Sequence, residues 1–234
     1  MKVALAGKTL GVIGGMGPAA TFDFCARFTA AVPAQRDQDH PRLLVDSDPL
    51  IPDRNAALRS EGPSPDLRLA SIARRLVGSG AVRLVMPCNT AHAFKAGIEA
   101  VVPGRLVDMI AATTKAAIPL ARSKVGILAA DGCLAASLYQ DALREGGLEA
   151  VMLAPKDQRA FMALLYEIKA NGPKAEHGPR MQRLTRYLAD LGADTVIAGC
   201  TEVPLVLGPE ASALPMVSST DALVGAALQA LLEA

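Results

Sequence analysis

The sequence predicts an α/β protein made of two similar units, each a small parallel four-stranded sheet flanked by helices. Three observations carry that expectation. Short apolar runs alternate with longer stretches of helical periodicity along the 234 residues, the order that builds parallel sheets. The runs are continuous rather than alternating, as in strands buried on both faces. The second half also echoes the first. LGVIGGMGP at 10–18 resembles VGILAADG at 125–132, and LVMPCNTAH at 84–92 resembles VIAGCTEVP at 196–204, at offsets of 115 and 112 residues that one small indel reconciles. Any α/β chain repeats an apolar strand and a Gly-rich turn, so the echo alone leaves a single doubly wound sheet open.

In chain order, residues 9–14 form the first strand run, ending in GGMGP, where Pro18 is suited to the first position of a helix over 18–31. Residues 42–47, 82–86 and 105–107 follow as strands, with a helix over 65–77. The second half gives strands at 124–129, 150–153, 194–198 and 215–217, and helices over 134–145 and 180–191, with apolar residues at three- and four-residue spacing.

Composition narrows the function. Hydrophobic residues make up 51% and charged residues 20%, the balance of a globular protein. Lys and Arg number 24 against 23 Asp and Glu, without basic runs, and aromatics are only 3%. Neither a phosphate-binding face nor base-stacking platforms are offered, so no nucleic-acid partner is expected. Glycines and Pro18 interrupt the apolar start and spoil a leader pattern, and no breaker-free apolar run of about 18 residues suggests a membrane span. Cys25, Cys88, Cys133 and Cys200 lie far apart with no CxxC pair. Reduced thiols in the cytoplasm are the expectation.

Cys88 and Cys200 stand out by position. Each follows a strand run and precedes a helical stretch, at the sheet edge where ligands bind in open α/β folds. A helix start there would lower the thiol pKa and offer N–H groups to a carboxylate. Two such sulfurs could approach one α-carbon from opposite sides, one removing a proton and the other delivering one. They would titrate as a pair, while N–H donors steady charge gathering on the carboxylate. The competing reading is that free Cys packs as a small hydrophobe. That describes Cys25 and can describe Cys133; for Cys88 and Cys200, the polar neighbours Asn89, Thr90, Thr201 and Glu202 argue against it.

Two other chemistries stay open. Cys88 and His92 lie four apart on one helical face, but a transition metal usually needs three or four ligands; His40 sits in a loop before Pro41, and His177 is the third histidine. Residues 15–20 fit G-x-G-x-x-A, with Asp37 or Asp39 near the spacing for a ribose contact, although those acids precede the second strand rather than end it. A tight turn is the alternative. Arg54 lies in a loop at the ligand edge, where an Arg can clasp a carboxylate, and Lys169 ends a helix, where a cation suits the dipole.

Together GGMGP (14–18), IPDR (51–54), PCNTAH (87–92), EIKANG (167–172) and GCTEVP (199–204) resemble the aspartate/glutamate racemase superfamily over essentially the whole chain, most closely its aspartate racemase branch. Gly14-Gly15-Met16 and Glu202 depart from the D-S-G and the His after GCT that mark cell-wall glutamate racemases. The resemblance implies two α/β domains, residues 1–110 with 216–234 and residues 111–215, with the active site in the cleft between them. It implies Cys88 and Cys200 as proton carriers and no pyridoxal, metal or other cofactor. It places Asn89, Thr90 and Thr201 on the substrate carboxylate and Arg54 and Lys169 on an acidic amino-acid substrate, with Met16 and Glu202 completing the binding set. It also implies a homodimer. Relatives often carry Thr where this chain has Ala130 or Cys133, a departure that bears on side-chain specificity. Glutamate or broader racemases, maleate isomerases, hydantoin racemases and arylmalonate decarboxylases share the pattern, as would a binding relative without turnover.

Overall fold

The computed structural model describes residues 5–234; the first four residues of the segment read above for a leader pattern lie outside them. The described chain divides into two compact units, one running up to Met109 and resuming at Leu223–Ala234, the other spanning Ile110–Ala222.

The first unit contains β1 (Thr9–Gly14), α1 (Pro18–Ala31), β2 (Arg42–Ser47), α2 (Arg54–Leu58), α3 (Asp66–Gly78), β3 (Arg83–Val85) and α4 (Lys95–Glu99). Its strands are parallel in the order β2-β1-β3. The expected fourth strand at 105–107 is reduced to a single bridge, Leu84 to Leu106. Leu84 N–H donates to Arg105 O at 2.8 Å and Val107 N–H donates to Leu84 O at 2.8 Å. Both sheet faces are covered. Leu10, Val12 and Val85 pack with Phe24 and Phe28 of α1, whereas Ile13, Leu84 and Met86 pack with Leu69, Ile72, Ala73 and Leu76 of α3. That α3 set follows the three- and four-residue spacing of one helical stripe.

The second unit contains most of α5 (Met109–Ala117), then β4 (Lys124–Ala129), α6 (Asp131–Ala135), α7 (Leu138–Glu145), β5 (Glu149–Met152), α8 (Pro155–Asn171), α9 (His177–Asp190), β6 (Thr195–Gly199), β7 (Met216–Ser218) and the start of α10 (Ser219–Leu232). Its parallel sheet is ordered β5-β4-β6-β7. The repeat is therefore topological: a central first strand, the second on one side, the third on the other, and a fourth beyond it. Gly11 of β1 and Gly126 of β4, separated by the same 115 residues as the sequence echo, do the same job. A Cβ on Gly11 would meet Leu84, Ala81 and Leu76 at 2.6–3.1 Å; one on Gly126 would meet Leu188 and Ala193 at 3.0–3.3 Å. Each lets a helix and the turn after it lie close on the central strand.

Three further sequence expectations change. Residues 216–222 group with the second unit rather than the first, because Met216–Ser218 pairs with β6 as its edge strand. Strands β2 and β5 are largely half-buried or exposed rather than buried on both faces, because the strand order leaves them at sheet edges. The single helix over 134–145 is broken into α6 and α7 by Ser137 in the left-handed region (φ 52°), with Gln140 Nε2 donating to the Leu134 carbonyl at 2.8 Å. Among the described residues no helix is long and apolar enough to cross a membrane.

Candidate active site

In each unit the third strand runs into a cysteine. Cys88 follows β3 and Cys200 follows β6 directly, both as free, buried thiols. Neither opens an α-helix as the sequence suggested. Cys88 is followed by a 3-10 turn, Thr90–Phe94, and Cys200 by a shorter one, Val203–Leu205. A 3-10 turn is short and its hydrogen bonds are poorly aligned, so the dipole at either sulfur is weaker than an α-helix would supply.

The Cys88 loop is held by His92. Its Nε2 accepts the Met109 N–H at 3.1 Å, so the proton sits on Nδ1, which donates to the Cys88 carbonyl at 3.0 Å. Both ring nitrogens are thereby used, and burial holds the imidazole below its ordinary pKa, in the neutral form. The arrangement makes His92 a structural strut rather than a metal ligand partnered with Cys88. Asn89 and Thr90 are buried beside it. Met16 is buried in the cluster that also holds Ile51, Met86 and Cys88.

The GGMGP turn closes on itself. Gly15 N–H donates to Thr21 Oγ1 at 2.9 Å and that hydroxyl donates to the Gly17 carbonyl at 2.9 Å. Gly15 sits at φ +93°, where an added Cβ would run into the Asp48 backbone. Asp37 and Asp39 form a 3-10 turn ahead of β2, with Asp39 paired to Arg36 at 3.0 Å. A dinucleotide site needs a free turn N–H and an acid at the end of the second strand. This turn spends the Gly15 donor on Thr21 and its acids lie before the strand, which is the geometry of a tight turn.

Arg54 is the first residue of α2, after Asp53, whose carboxylate caps the helix by accepting the Ala56 N–H at 2.7 Å. The guanidinium curls back on its own loop, Nη1 donating to Pro52 O at 2.9 Å and Ile51 O at 3.2 Å. Its Nε is buried with no hydrogen-bond partner, a state that costs about 1–3 kcal/mol until something accepts that N–H.

In the second unit Cys200, Thr201 and Glu202 are all buried. The Cys200 thiol donates to Glu202 Oε2 at 2.9 Å, and Thr201 Oγ1 donates to the same oxygen at 3.4 Å. Glu202 Oε1 lies 3.1 Å from Lys169 Nζ of α8. Burial, then the adjacent Glu202 charge, push the Cys200 thiol well above its usual range, and Lys169 only partly opposes them. The expected lowering of this thiol by a helix dipole is thus reversed: desolvation and a carboxylate outweigh a short 3-10 turn. Ala130 lies before α6, and Cys133 is fully buried in the packing around Tyr139. Cys25 is half-buried in α1 and burial raises its thiol too.

Among the described residues one group has metal-ligand chemistry: Glu167, Glu176 and His177. The donors of Glu167 and His177 are already engaged. His177 Nδ1 accepts the Lys174 N–H at 3.0 Å, Nε2 then donates to Glu167 Oε1 at 3.2 Å, and Arg180 pairs with Glu167 Oε2 at 2.6 Å. Arg180 supplies the positive charge that a cation would bring, and the group clamps α8 to α9.

Sequence reasoning named the cysteines and their neighbours but missed three roles: His92 as strut, Thr21 as brace and Glu202 as acceptor of a thiol proton. For Glu202 a signal was available, since its counterpart two residues after Cys88 is the neutral Thr90.

Comparison with known proteins identifies the family. The Asp/Glu/Hydantoin racemase family matches residues 13–227. A broad-specificity amino-acid racemase of Bacillus subtilis (strain 168) is 26% identical over 90% of this chain and 92% of its own. The solved structure of the Picrophilus torridus aspartate racemase superposes with a TM-score of 0.86 at 27% identity, covering 96% of this chain and 94% of that one. An aspartate racemase homologue from Pyrococcus horikoshii OT3 shares the fold, with a TM-score of 0.77 at 22% identity over 96% and 99% of the two chains. A match that runs through both cysteine loops and nearly the whole chain leaves one conclusion: this protein belongs to the Asp/Glu/Hydantoin racemase family and is an isomerase of the racemase type.

Proposed function

We propose that the protein racemises acidic amino acids, aspartate foremost, by a two-base reaction of Cys88 and Cys200 that needs no cofactor. The observation that carries this is the repeat itself. Two units of one topology each present a buried free thiol at the end of the third strand, flanked by buried polar residues. In the reaction one thiolate takes the α-proton, breaking C–H and forming S–H, while the electron pair moves into the substrate carboxylate. The opposite thiol then protonates the other face, breaking S–H and forming the new C–H. Asn89, Thr90 and Thr201 are assigned to the carboxylate, where donors aimed at the developing charge lower the barrier. Arg54, with its unpartnered buried Nε, and Lys169 are assigned to the acidic side chain. Met16 walls the Cys88 side, and Glu202 lies against both Cys200 and Lys169.

A broader substrate range is a second reading with its own support: the similarity to a broad-specificity racemase and the absence of a hydroxyl at Ala130.

The test is NMR in D₂O with each enantiomer of aspartate and glutamate, for the protein and its Cys88→Ser and Cys200→Ser variants. The unaltered protein should exchange and invert aspartate. Each variant should lose inversion by about 10²- to 10⁴-fold, the usual worth of one acid–base group, and residual α-proton exchange should favour opposite enantiomers in the two. Undiminished inversion in either variant ends the two-cysteine reaction. A comparable rate with a neutral amino acid favours the broad reading.

A further inference from the structure

The two cysteines are not equivalent. In the repeat, Cys88-Asn89-Thr90 aligns in sequence with Cys200-Thr201-Glu202, so a neutral hydroxyl residue in one unit corresponds to a carboxylate in the other. That carboxylate accepts a hydrogen bond from the thiol at 2.9 Å and is seated on Lys169 at 3.1 Å, with 4% of its side chain exposed. We propose that Glu202, positioned by Lys169, holds the proton on Cys200 in the resting protein, making Cys200 the acid and Cys88 the base when substrate first arrives.

The geometry gives the reason. A carboxylate oxygen at this distance has only lone pairs to offer, so the shared proton belongs to the sulfur. Removing it would leave a thiolate against a carboxylate in a site with almost no water to separate the charges. Among the described residues the charged groups acting on this thiol are Glu202 on its own loop and Lys169 of α8. The hydrophobic cluster it belongs to includes Leu128, Ala130, Ala198 and Val203. Glu202 is thus a positioning residue that acts through Cys200. For the enzyme to work in the other direction, the proton must leave Cys200: S–H breaks, and the proton passes to Glu202 as O–H or to solvent, leaving the thiolate. Because the two enantiomers have equal free energy, kcat/KM stays the same in both directions in any variant, so the asymmetry must be read at the thiols.

The proposal rests on the two-cysteine reading for its catalytic consequence, but its test does not need turnover. Iodoacetamide labelling of the intact chain across pH, resolved by cysteine with mass spectrometry, gives a midpoint for each thiol. In Glu202→Gln, which keeps size and loses charge, labelling of Cys200 near neutral pH should rise about tenfold or more, the equivalent of one unit in midpoint. The Cys88 midpoint should not move. In Lys169→Met the Cys200 midpoint should rise, because the opposing cation is gone. An unchanged or higher Cys200 midpoint in Glu202→Gln overturns the proposal. Fully buried Cys133 reports folding. If Glu202→Gln exposes it, Lys169→Met decides, and an unchanged or lower midpoint there is the refuting result. A chain that racemises nothing yet shows these shifts would sink the proposed function and leave this inference standing.

Discussion

Replacing His92 with Leu tests the strut beneath Cys88. The ring is 1% exposed and joins the Cys88 carbonyl (3.0 Å) to the Met109 N–H (3.1 Å). Leucine fills similar space but deprives two buried main-chain groups of their partner, at roughly 1–3 kcal/mol each, so a loss of about 2–6 kcal/mol is expected. The loss should shrink in acid. Burial holds the folded His92 below the unfolded value of about 6.5, so its neutral form stabilises the fold fully above that pH. As pH falls from there through the lower folded value, that stability goes, at up to about 1.4 kcal/mol per unit, and the His92→Leu variant has no such dependence. The difference between the two proteins should therefore narrow between about pH 7.5 and 5. The chain has no Trp and its three Tyr lie at 139, 166 and 187, all in the second unit. Urea unfolding should accordingly be followed by amide hydrogen exchange in β1 and β3, with tyrosine fluorescence as the control for the other unit. A loss under about 0.5 kcal/mol, within the range of a neutral surface change, or a difference that does not narrow in acid, refutes the strut.

Other outcomes follow from single contacts. Gly15→Ala combines a left-handed backbone with a clash against Asp48 and should cost at least about 3 kcal/mol, seen as a lower urea midpoint for the first unit. Asp194→Ala removes a carboxylate that accepts N–H bonds from Arg122, Ser123 and Lys124 at 2.9–3.2 Å, tying the start of β4 to the approach to β6. About 1.5–3 kcal/mol should be lost, read by the tyrosine transition. Burial alone would raise the Asp194 carboxyl, but those N–H bonds outweigh it and hold it below its usual value. Its contribution is present above about pH 4 and lost as pH falls through the lower folded value. An Asp194→Ala chain as stable as the parent at pH 7 would refute the tie.

Local chemistry determined most of the elements. Continuous apolar runs marked the strands because a parallel sheet buried on both faces leaves no room for polar alternation. Pro18 and the three- and four-residue stripes marked α1 and α3 for equally local reasons, and the echo between halves foretold a repeat that the strand orders show. The cysteines were legible as strand-end thiols because a strand followed by a polar turn is a pattern of adjacent residues. Tertiary structure decided the rest. The edge exposure of β2 and β5 depends on strand order, and the grouping of β7 with the second sheet depends on which neighbour accepts its hydrogen bonds. His92 reaches Met109 across 17 residues, Lys169 of α8 reaches Glu202 on the loop after β6, and Arg54 turns back on its own loop. Sequence spacing states which groups exist, but the environment of a thiol is set by what surrounds it in space. A desolvated sulfur beside a carboxylate keeps its proton whatever helix the sequence suggests should follow it.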